Sequence, residues 1–218
     1  MRFSSDHFKD VQRWGFRRFL YAAILWRVGA WLRFSYVFVR ELESDPKLPP
    51  LSEGRVVRLA SIDELLTAAQ DPILDLDRDF VTAAVARGEQ CSAVFQGDQI
   101  IAYAWEATRA TPHTNFVTVC FEKPYRYRFN AFTHPAFRQQ NLQHIISLYT
   151  DPMFIKQGYR YVISFIETHN YPSVSSNLSR GNIIVGYAGY LKLWRKVFCF
   201  RTKGARRVGF KFVANYLR

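Results

Sequence analysis

Glu167 and His169 stand two residues apart at the end of an apolar run, residues 160–166 (RYVISFI). Side chains two apart on a strand share a face, and a histidine beside a carboxylate can take up a proton at neutral pH. Glu106, closing a second apolar run, and His134 are the other candidates for a base. Glu106 has a rival reading as a buried carboxylate paired with an arginine, and each of the four has one as a rim residue with no role. Tyr171, Tyr187 and Tyr190 are candidate proton donors, although with 19 Phe, 12 Tyr and 5 Trp in the chain core packing is the commoner duty of a ring. Cys91, Cys120 and Cys199 are widely spaced inside apolar runs and read as buried thiols of a reducing compartment. No Cys/His spacing suits zinc, so no metal site is expected, and neither a Gly-x-x-x-x-Gly-Lys loop nor a Gly-x-Ser-x-Gly elbow is present.

These residues need elements to position them. Tyr125, Tyr127 and Phe129 alternate as on a strand that stops at Pro135, and Leu142, Ile145, Ile146 and Tyr149 then recur at helical spacing. A strand that runs into a helix offers an anion the first unpaired N–H groups and the positive end of the helix dipole.

Residues 133–143, Thr-His-Pro-Ala-Phe-Arg-Gln-Gln-Asn-Leu-Gln, resemble the cofactor-binding motif of GCN5-related N-acetyltransferases, hydrophobic-x-Pro-x-(Tyr/Phe)-Arg-x-x-Gly-x-Gly between a strand and a helix. Pro135, Phe137, Arg138 and Leu142 fit, while Asn141 and Gln143 stand where the motif has glycines. A second stretch carries the resemblance further: a strand, then Asn170 and Ser173 in the pattern Asn-x-x-Ser/Ala, then Gly181 before another apolar strand. Here Asn182 replaces the family's Phe, and Asn177 replaces the Tyr that many members use to reprotonate the leaving thiolate. The resemblance spans roughly residues 55–190.

It implies that Arg138, Gln139, Gln140, Asn141, Leu142 and Gln143 wrap the pyrophosphate of acetyl-coenzyme A or another acyl-coenzyme A. It further implies that Asn170 and Ser173 contact the cofactor, and that backbone N–H groups near Phe132 and Thr133 polarise the thioester carbonyl. Asparagine tolerates a positive φ next best after glycine, but glutamine does not, so a loosened or altered pyrophosphate loop is expected at Gln143. Glu167, His169 and Glu106 are the catalytic candidates, with the pair Glu167/His169 preferred.

Charge is uneven. Residues 1–40 carry a net +6, residues 41–167 a net −4 and residues 168–218 a net +10, within a total of +12. Such asymmetry suits an anionic partner or simply a solvated basic face. The apolar positions of residues 8–40, including Val11, Phe16, Leu20, Ile24 and Trp31, with Arg13, Arg17, Arg27 and Arg33 among them, read as a helix. It packs on the enzyme's own core or a second subunit, or else lies on an anionic membrane with Trp14, Trp26 and Trp31 at the interface; packing is the commoner use of such a stripe. Residues 1–47 are thus expected to be a helical extension, 48–54 (Leu-Pro-Pro-Leu-Ser-Glu-Gly) a linker, and 55–218 the acyltransferase domain. No apolar run is long enough to span a bilayer, and no secretory leader is recognised, so a cytoplasmic protein, peripheral at most to the inner face of the membrane, is expected.

The remaining pattern supplies a strand near residues 56–59, a capping box at Ser61–Glu64, a helix broken at Asp71-Pro72, and a second helix closed by Gly88. Strands at 91–95 and 100–106 flank a Gly97-Asp98 turn, residues 115–121 offer a further strand, and residues 191–218 read as two strands around Lys203-Gly204. The fold class expected is α+β, a mostly antiparallel sheet flanked by helices. The resemblance implies transfer of an acetyl or longer acyl group from coenzyme A to a primary amine. A family likeness of the arginine-rich extension to enzymes of cell-surface polysaccharide metabolism points to an amino sugar acceptor. The alternatives are an acyl carrier protein as donor, a basic surface favouring an acidic carrier, or a fold relative without catalysis that binds an anionic membrane or, less readily, nucleic acid. A homodimer is also open.

Overall fold

The computed structural model describes residues 15–29 and 31–215. The chain forms two compact units, one of residues 39–111 and 121–164, the other of residues 1–38, 112–120 and 165–218. Residues 48–54 lie within the first of these.

In the first unit, termed the motif unit, β2 (Arg55–Leu59), β3 (Gln90–Gln96), β4 (Gln99–Ala107) and β7 (Tyr125–Thr133) pair antiparallel in that order. The start of β8 (Tyr161–Glu167) adds to β7 in parallel, from Tyr125/Tyr161 to Tyr127/Ile163. The expected Gly97-Asp98 turn joins β3 to β4, with Gly97 at φ 58°. One face of β3 and β4 presents Cys91, Ala93, Phe95, Tyr103 and Trp105 to α2 (Ile62–Ala68) and α3 (Arg78–Ala86), which contribute Leu65, Val81 and Ala84. The opposite face presents Val94, Ala102 and Ala104 to Leu142 and Ile146 of α4 (Leu142–Lys156). Side chains of this size each contribute about 1.5–3 kcal/mol when fully buried.

Both helices read from the sequence are present. Ser61 and Glu64 form a reciprocal capping box, and the Asp77 side chain accepts the N–H of Phe80 at 2.8 Å. Gly88, at φ 78°, follows α3 as its stop.

The second unit, termed the aromatic unit, holds α1 (Phe16–Val28), most of β1 (Leu32–Glu41), β5 (Thr111–Thr114), β6 (Val117–Cys120) and the end of β8. After these come α5 (Tyr171–Ser179), the hairpin β9 (Ile183–Leu193) and β10 (Lys196–Arg201), α6 (Lys203–Arg207) and β11 (Lys211–Ala214). The strand order is β10-β9-β1-β8, with β11-β6-β5 as a separate three-stranded sheet. Its interior is a run of ring contacts: His113 against Phe165 and Tyr190, and Phe212 against Phe165, Tyr190 and Phe210.

The elements read from the sequence are present from β2 to β9, with β6 as the further strand at 115–121 and β5 added before it, and the fold class is α+β as expected. Three local expectations are corrected. The N-terminal helix ends at Val28, and Leu32–Glu41 is a strand, because Val37, Phe38 and Val39 are β-branched or aromatic and are buried in a sheet. Val11, Arg13 and Trp14 lie outside the described residues. Lys203-Gly204 opens a helix instead of a hairpin turn: a Cβ at Gly204 would lie 1.8 Å from the Val185 carbonyl, so glycine serves close packing. The turn is at Trp194-Arg195. Of the three cysteines only Cys91 is buried; Cys120 is half-buried and Cys199 is exposed on β10. No described helix is long and apolar enough to cross a membrane.

Candidate functional site

In the motif unit, β7 ends at Thr133 and the chain enters a short 3₁₀ turn, Pro135–Phe137. Pro135 cannot continue the ladder, and the His134 Nδ1 accepts the N–H of Ala136 at 3.2 Å, which commits that imidazole to capping the turn. Arg138, Gln139 and Gln140 follow on the surface. Gln139 and Asn141 both have positive φ, 66° and 53°. Asn141 thus adopts at the first motif glycine the left-handed conformation that glycine would supply. It leads directly into α4, whose first N–H groups have no helical acceptor.

Of the two outcomes expected at Gln143, a loosened or an altered loop, the loop is not loosened. Gln143 lies inside the first turn of α4, and its side chain points into the fold. Its Nε2 donates to the carbonyls of Phe132 (2.8 Å) and Tyr103 (3.0 Å) and to the Thr133 hydroxyl (3.3 Å). Arg128 donates to Gln143 Oε1 and its carbonyl, and also to Ser147. The glutamine therefore braces β7 to β4 where the ladder is irregular. Tyr103 faces Phe132 and Trp105 faces Phe129, so Asn130 and Ala131 together oppose Ala104. Asn130 has φ 42°, and both bulge residues are exposed. Phe132 and Thr133, expected to polarise a carbonyl, stand opposite Tyr103 and Ala102; the irregularity falls one step earlier.

A recess of about 510 Å³ adjoins this helix start, lined among others by Lys47, Ser52, Arg55, Asn141 and His144. Arg55 is held by Gln96 Oε1 at 2.8 Å and stacks on Phe137. Two cations beside a helix N-terminus suit an anion. The segment expected to be a linker thus forms one wall of the recess.

Glu106 is buried in the ion-paired arrangement that rivalled its reading as a base. It pairs with Arg126 and, at 3.6 Å, with Arg128. Arg126 also meets Asp151 at 2.7 Å, and Asp151 accepts Arg40 and the Glu43 N–H.

In the aromatic unit, Glu167 is the single carboxylate among the described residues. Arg33 pairs with it on one oxygen, and His169 Nε2 lies 3.0 Å from the other. Burial first, then the Arg33 guanidinium, lower the His169 pKa below the usual imidazole range. With its Nε2–H given to the carboxylate, the neutral ring keeps its lone pair on Nδ1, which is buried without a partner. Asn170 caps α5, its Oδ1 accepting the Ser173 N–H at 3.2 Å, and Asn177 Nδ2 donates to the Ser173 carbonyl. Asn170, Ser173 and Asn177 thus hold the loop that carries Glu167 and His169.

Beside that loop opens a cavity of about 630 Å³, lined by Arg18, Tyr21, Phe34, Tyr36, Tyr171 and Tyr187 with Thr168. Phe34 stacks on Tyr187 at 5.2 Å, and Tyr21 shares a 2.7 Å hydrogen bond with Thr168. Burial, ahead of the neighbouring phenols, raises the Tyr36 and Tyr171 pKa values, so both stay protonated at neutral pH. Of the tyrosines considered as acids, Tyr171 and Tyr187 line the cavity and Tyr190 is buried. The sequence pattern assigns no functional role to Arg33, Tyr36 or Asn130. The signals available were a lone carboxylate in a long basic stretch and an asparagine interrupting an aromatic strand. Among the described residues no three His, Cys, Asp or Glu side chains gather into a metal site.

No protein-family model and no curated protein matches the sequence. Among solved structures, a Drosophila protein is 12% identical over 74% of this chain and 51% of its own, with a TM-score of 0.53. A putative GNAT-family acetyltransferase from Novosphingobium aromaticivorans is 14% identical over 72% and 62%, TM-score 0.48. A functionally unknown conserved protein from Staphylococcus epidermidis is 13% identical over 77% and 65%, TM-score 0.49. The chain spans about half to two thirds of the length of these structures.

Proposed function

We propose that this chain is an N-acyltransferase that moves an acetyl or longer acyl group from coenzyme A to a primary amine. The observation that carries it is the start of α4. The motif's strand, Pro135 turn, left-handed Asn141 and helix are all formed, and the Gln143 side chain is turned away from the N–H groups that a diphosphate needs. The residues present therefore fit the group: the N–H groups of the first turn, with Arg138, Gln139 and Gln140 before them, would hold the pyrophosphate, and Lys47 and Arg55 would face further phosphate. Bound there, the thioester supplies an activated carbonyl carbon and a thiolate leaving group.

The chain's own residues account for the proton. An amine must lose one to attack, and the neutral His169 ring can accept it on Nδ1 while Glu167 fixes the tautomer and steadies the imidazolium. Exposed backbone at Asn130-Ala131 is suited to meet a developing oxyanion. Tyr171 and Tyr187, in the cavity wall, are the phenols that the aromatic unit offers in place of the tyrosine that Asn177 replaces. The tyrosine-lined cavity, with ring faces for sugar C–H groups, suits an amino sugar as acceptor. The +14 charge of the aromatic unit favours, as a second reading, donor delivery by an acidic acyl carrier protein.

The test is calorimetric titration of the full chain with acetyl-coenzyme A and a long-chain acyl-coenzyme A, repeated with Arg138→Ala. Saturable binding that Arg138→Ala weakens about tenfold is expected, as for loss of one charge-assisted phosphate contact. No binding of either thioester removes the coenzyme A reading; acyl transfer from acyl carrier protein would then establish the second. Neither leaves a fold without this catalysis.

A further inference from the structure

Trp194 is 94% exposed at the tip of the β9–β10 hairpin, and its φ of 51° lies in the left-handed region that bulky residues avoid. A hairpin turn needing positive φ selects Gly, Asn or Asp, so the turn itself does not account for an indole there. Leu193 beside it is exposed, and Lys192, Arg195 and Lys196 flank the pair. The Trp31 N–H donates to the Val28 carbonyl at 2.8 Å, and the Lys192 N–H donates to the Trp31 carbonyl at 2.6 Å. The C-terminal end of α1 is thereby tied to the base of the hairpin, bringing with it Trp26 and Trp31, 76% and 64% exposed.

Along α1, Phe16, Leu20 and Ile24 recur every fourth residue on the side opposite Leu25, the residue this helix buries, and all three are exposed. A helix of a water-soluble domain buries such a stripe. This one turns it outward, with Arg17 and Arg27 exposed on the same helix. The unit bearing these features holds seventeen Lys and Arg against three acidic residues, a net +14, whereas the motif unit is net −2.

We propose that this face of the aromatic unit docks on an anionic membrane surface. Trp26, Trp31, Trp194 and the aliphatic stripe of α1 would enter the boundary between headgroups and acyl chains, with the basic residues beside them meeting lipid phosphates. Indoles favour that boundary, and cations next to it are drawn to an anionic leaflet. Two other partners fit less well. Nucleic acid would use the charge and the rings but gains nothing from Leu20, Ile24 and Leu193, since aliphatic side chains do not stack on bases as rings do. A second copy would bring one +14 surface against another. The inference rests on exposed surface in the aromatic unit and is independent of the proposed catalysis.

The full chain is to be sedimented with phosphatidylcholine vesicles, with and without phosphatidylglycerol, and its tryptophan emission recorded. Trp194→Ala, the double variant Trp26→Ala/Trp31→Ala, and Lys192→Glu/Arg195→Glu/Lys196→Glu are compared after thermal melts establish that each folds. Binding to the anionic vesicles alone is expected, with a blue shift in emission, weakened at high salt and reduced about tenfold or more by the charge-reversed variant. The indole variants should lose partition and most of the blue shift. Absence of binding, or binding that the indole variants leave unchanged, overturns the proposal. So does equal retention on a nucleic acid with no blue shift, or a dimer in sedimentation velocity that Trp194→Ala dissociates.

Discussion

The two units solve the problem of an interior in opposite ways. The motif unit, nearly neutral, buries charge: Glu106, Arg126 and Asp151 have no exposed side-chain surface, and Arg40 and Arg128 complete the set from its margin. The aromatic unit, at +14, buries rings and has Glu167 as its single described carboxylate. Charges inside a protein hold position only where each has partners, so the first arrangement fixes directions, here those of Arg128 and hence of Gln143 and the β7 bulge. Rings pack without such demands, and around the tyrosine-lined cavity their hydroxyls bond one another and the surrounding chain. One unit holds the turn before α4 through paired charges, and the other lines a cavity with rings.

The comparison breaks most readily at Asp151. Replacing it with alanine leaves buried Arg126 with Glu106 as its one carboxylate partner and deprives Arg40 and the Glu43 N–H of their acceptor. A loss of about 3–5 kcal/mol is expected in urea unfolding, because a buried charge without its partner is the costly outcome. If Asp151→Ala loses less than about 1 kcal/mol, the network is not what organises this unit.

Next in size is His169→Gln, which keeps a hydrogen-bond donor toward Glu167 but removes the base. On the proposed reaction a fall in kcat of about 10²–10⁴-fold is expected with little change in KM for the thioester. Because burial and Arg33 lower the His169 pKa, the wild-type activity should persist somewhat below pH 6.5, the ordinary imidazole value, before protonation abolishes it. A wild-type profile that falls at or above that value would deny His169 the role.

His113 tests how far the aromatic interior depends on neutral rings. Burial, with Arg33 adding to it, lowers its pKa from 6.5 to about 4, and its Nε2 has no partner. A folded-state value below the unfolded one means that the unfolded chain binds the extra proton. Stability is therefore fully present above pH 6.5 and is lost as pH falls toward 4, by about 3 kcal/mol at most. In the motif unit the corresponding carboxylate is Glu64, held down to about 2 chiefly by Arg58, so its share is lost only as pH drops below 4.5. His113→Gln should flatten the upper window in pH-dependent melts and leave the lower one unaltered.

The same contrast explains what was legible in the residues. Capping boxes, the Gly97-Asp98 turn and the Gly88 stop act over four or five residues, so α2, α3, β3 and β4 could be read directly. The Pro135 turn and α4 were readable for the same reason. Gln143 was not, because its side chain answers to Phe132 and Tyr103, carbonyls brought near by the sheet and invisible to local pattern. Leu32–Glu41 was misread as helix since Phe34, Tyr36 and Phe38 satisfy both periodicities loosely until a neighbouring strand decides. Tyr36 meets Tyr187, and Arg33 meets Glu167, across well over a hundred residues of chain, where no spacing rule reaches.

The smallest expected effect bears on why Trp194 is where it is. A bulky residue at φ 51° carries about 1–2 kcal/mol of backbone strain that glycine does not, partly offset by glycine's greater loss of entropy on folding. Trp194→Gly should therefore stabilise the chain by about 0.5–1 kcal/mol, since a side chain 94% exposed gives up little packing when removed. Calorimetric melts measure that gain, and vesicle sedimentation of the same variant measures what it forfeits. A residue that lowers stability and raises membrane affinity is one retained for the surface it serves, as expected where strain and function coincide. If Trp194→Gly melts lower than the wild type, the indole is instead a structural part of the hairpin, and its exposure has no bearing on a membrane.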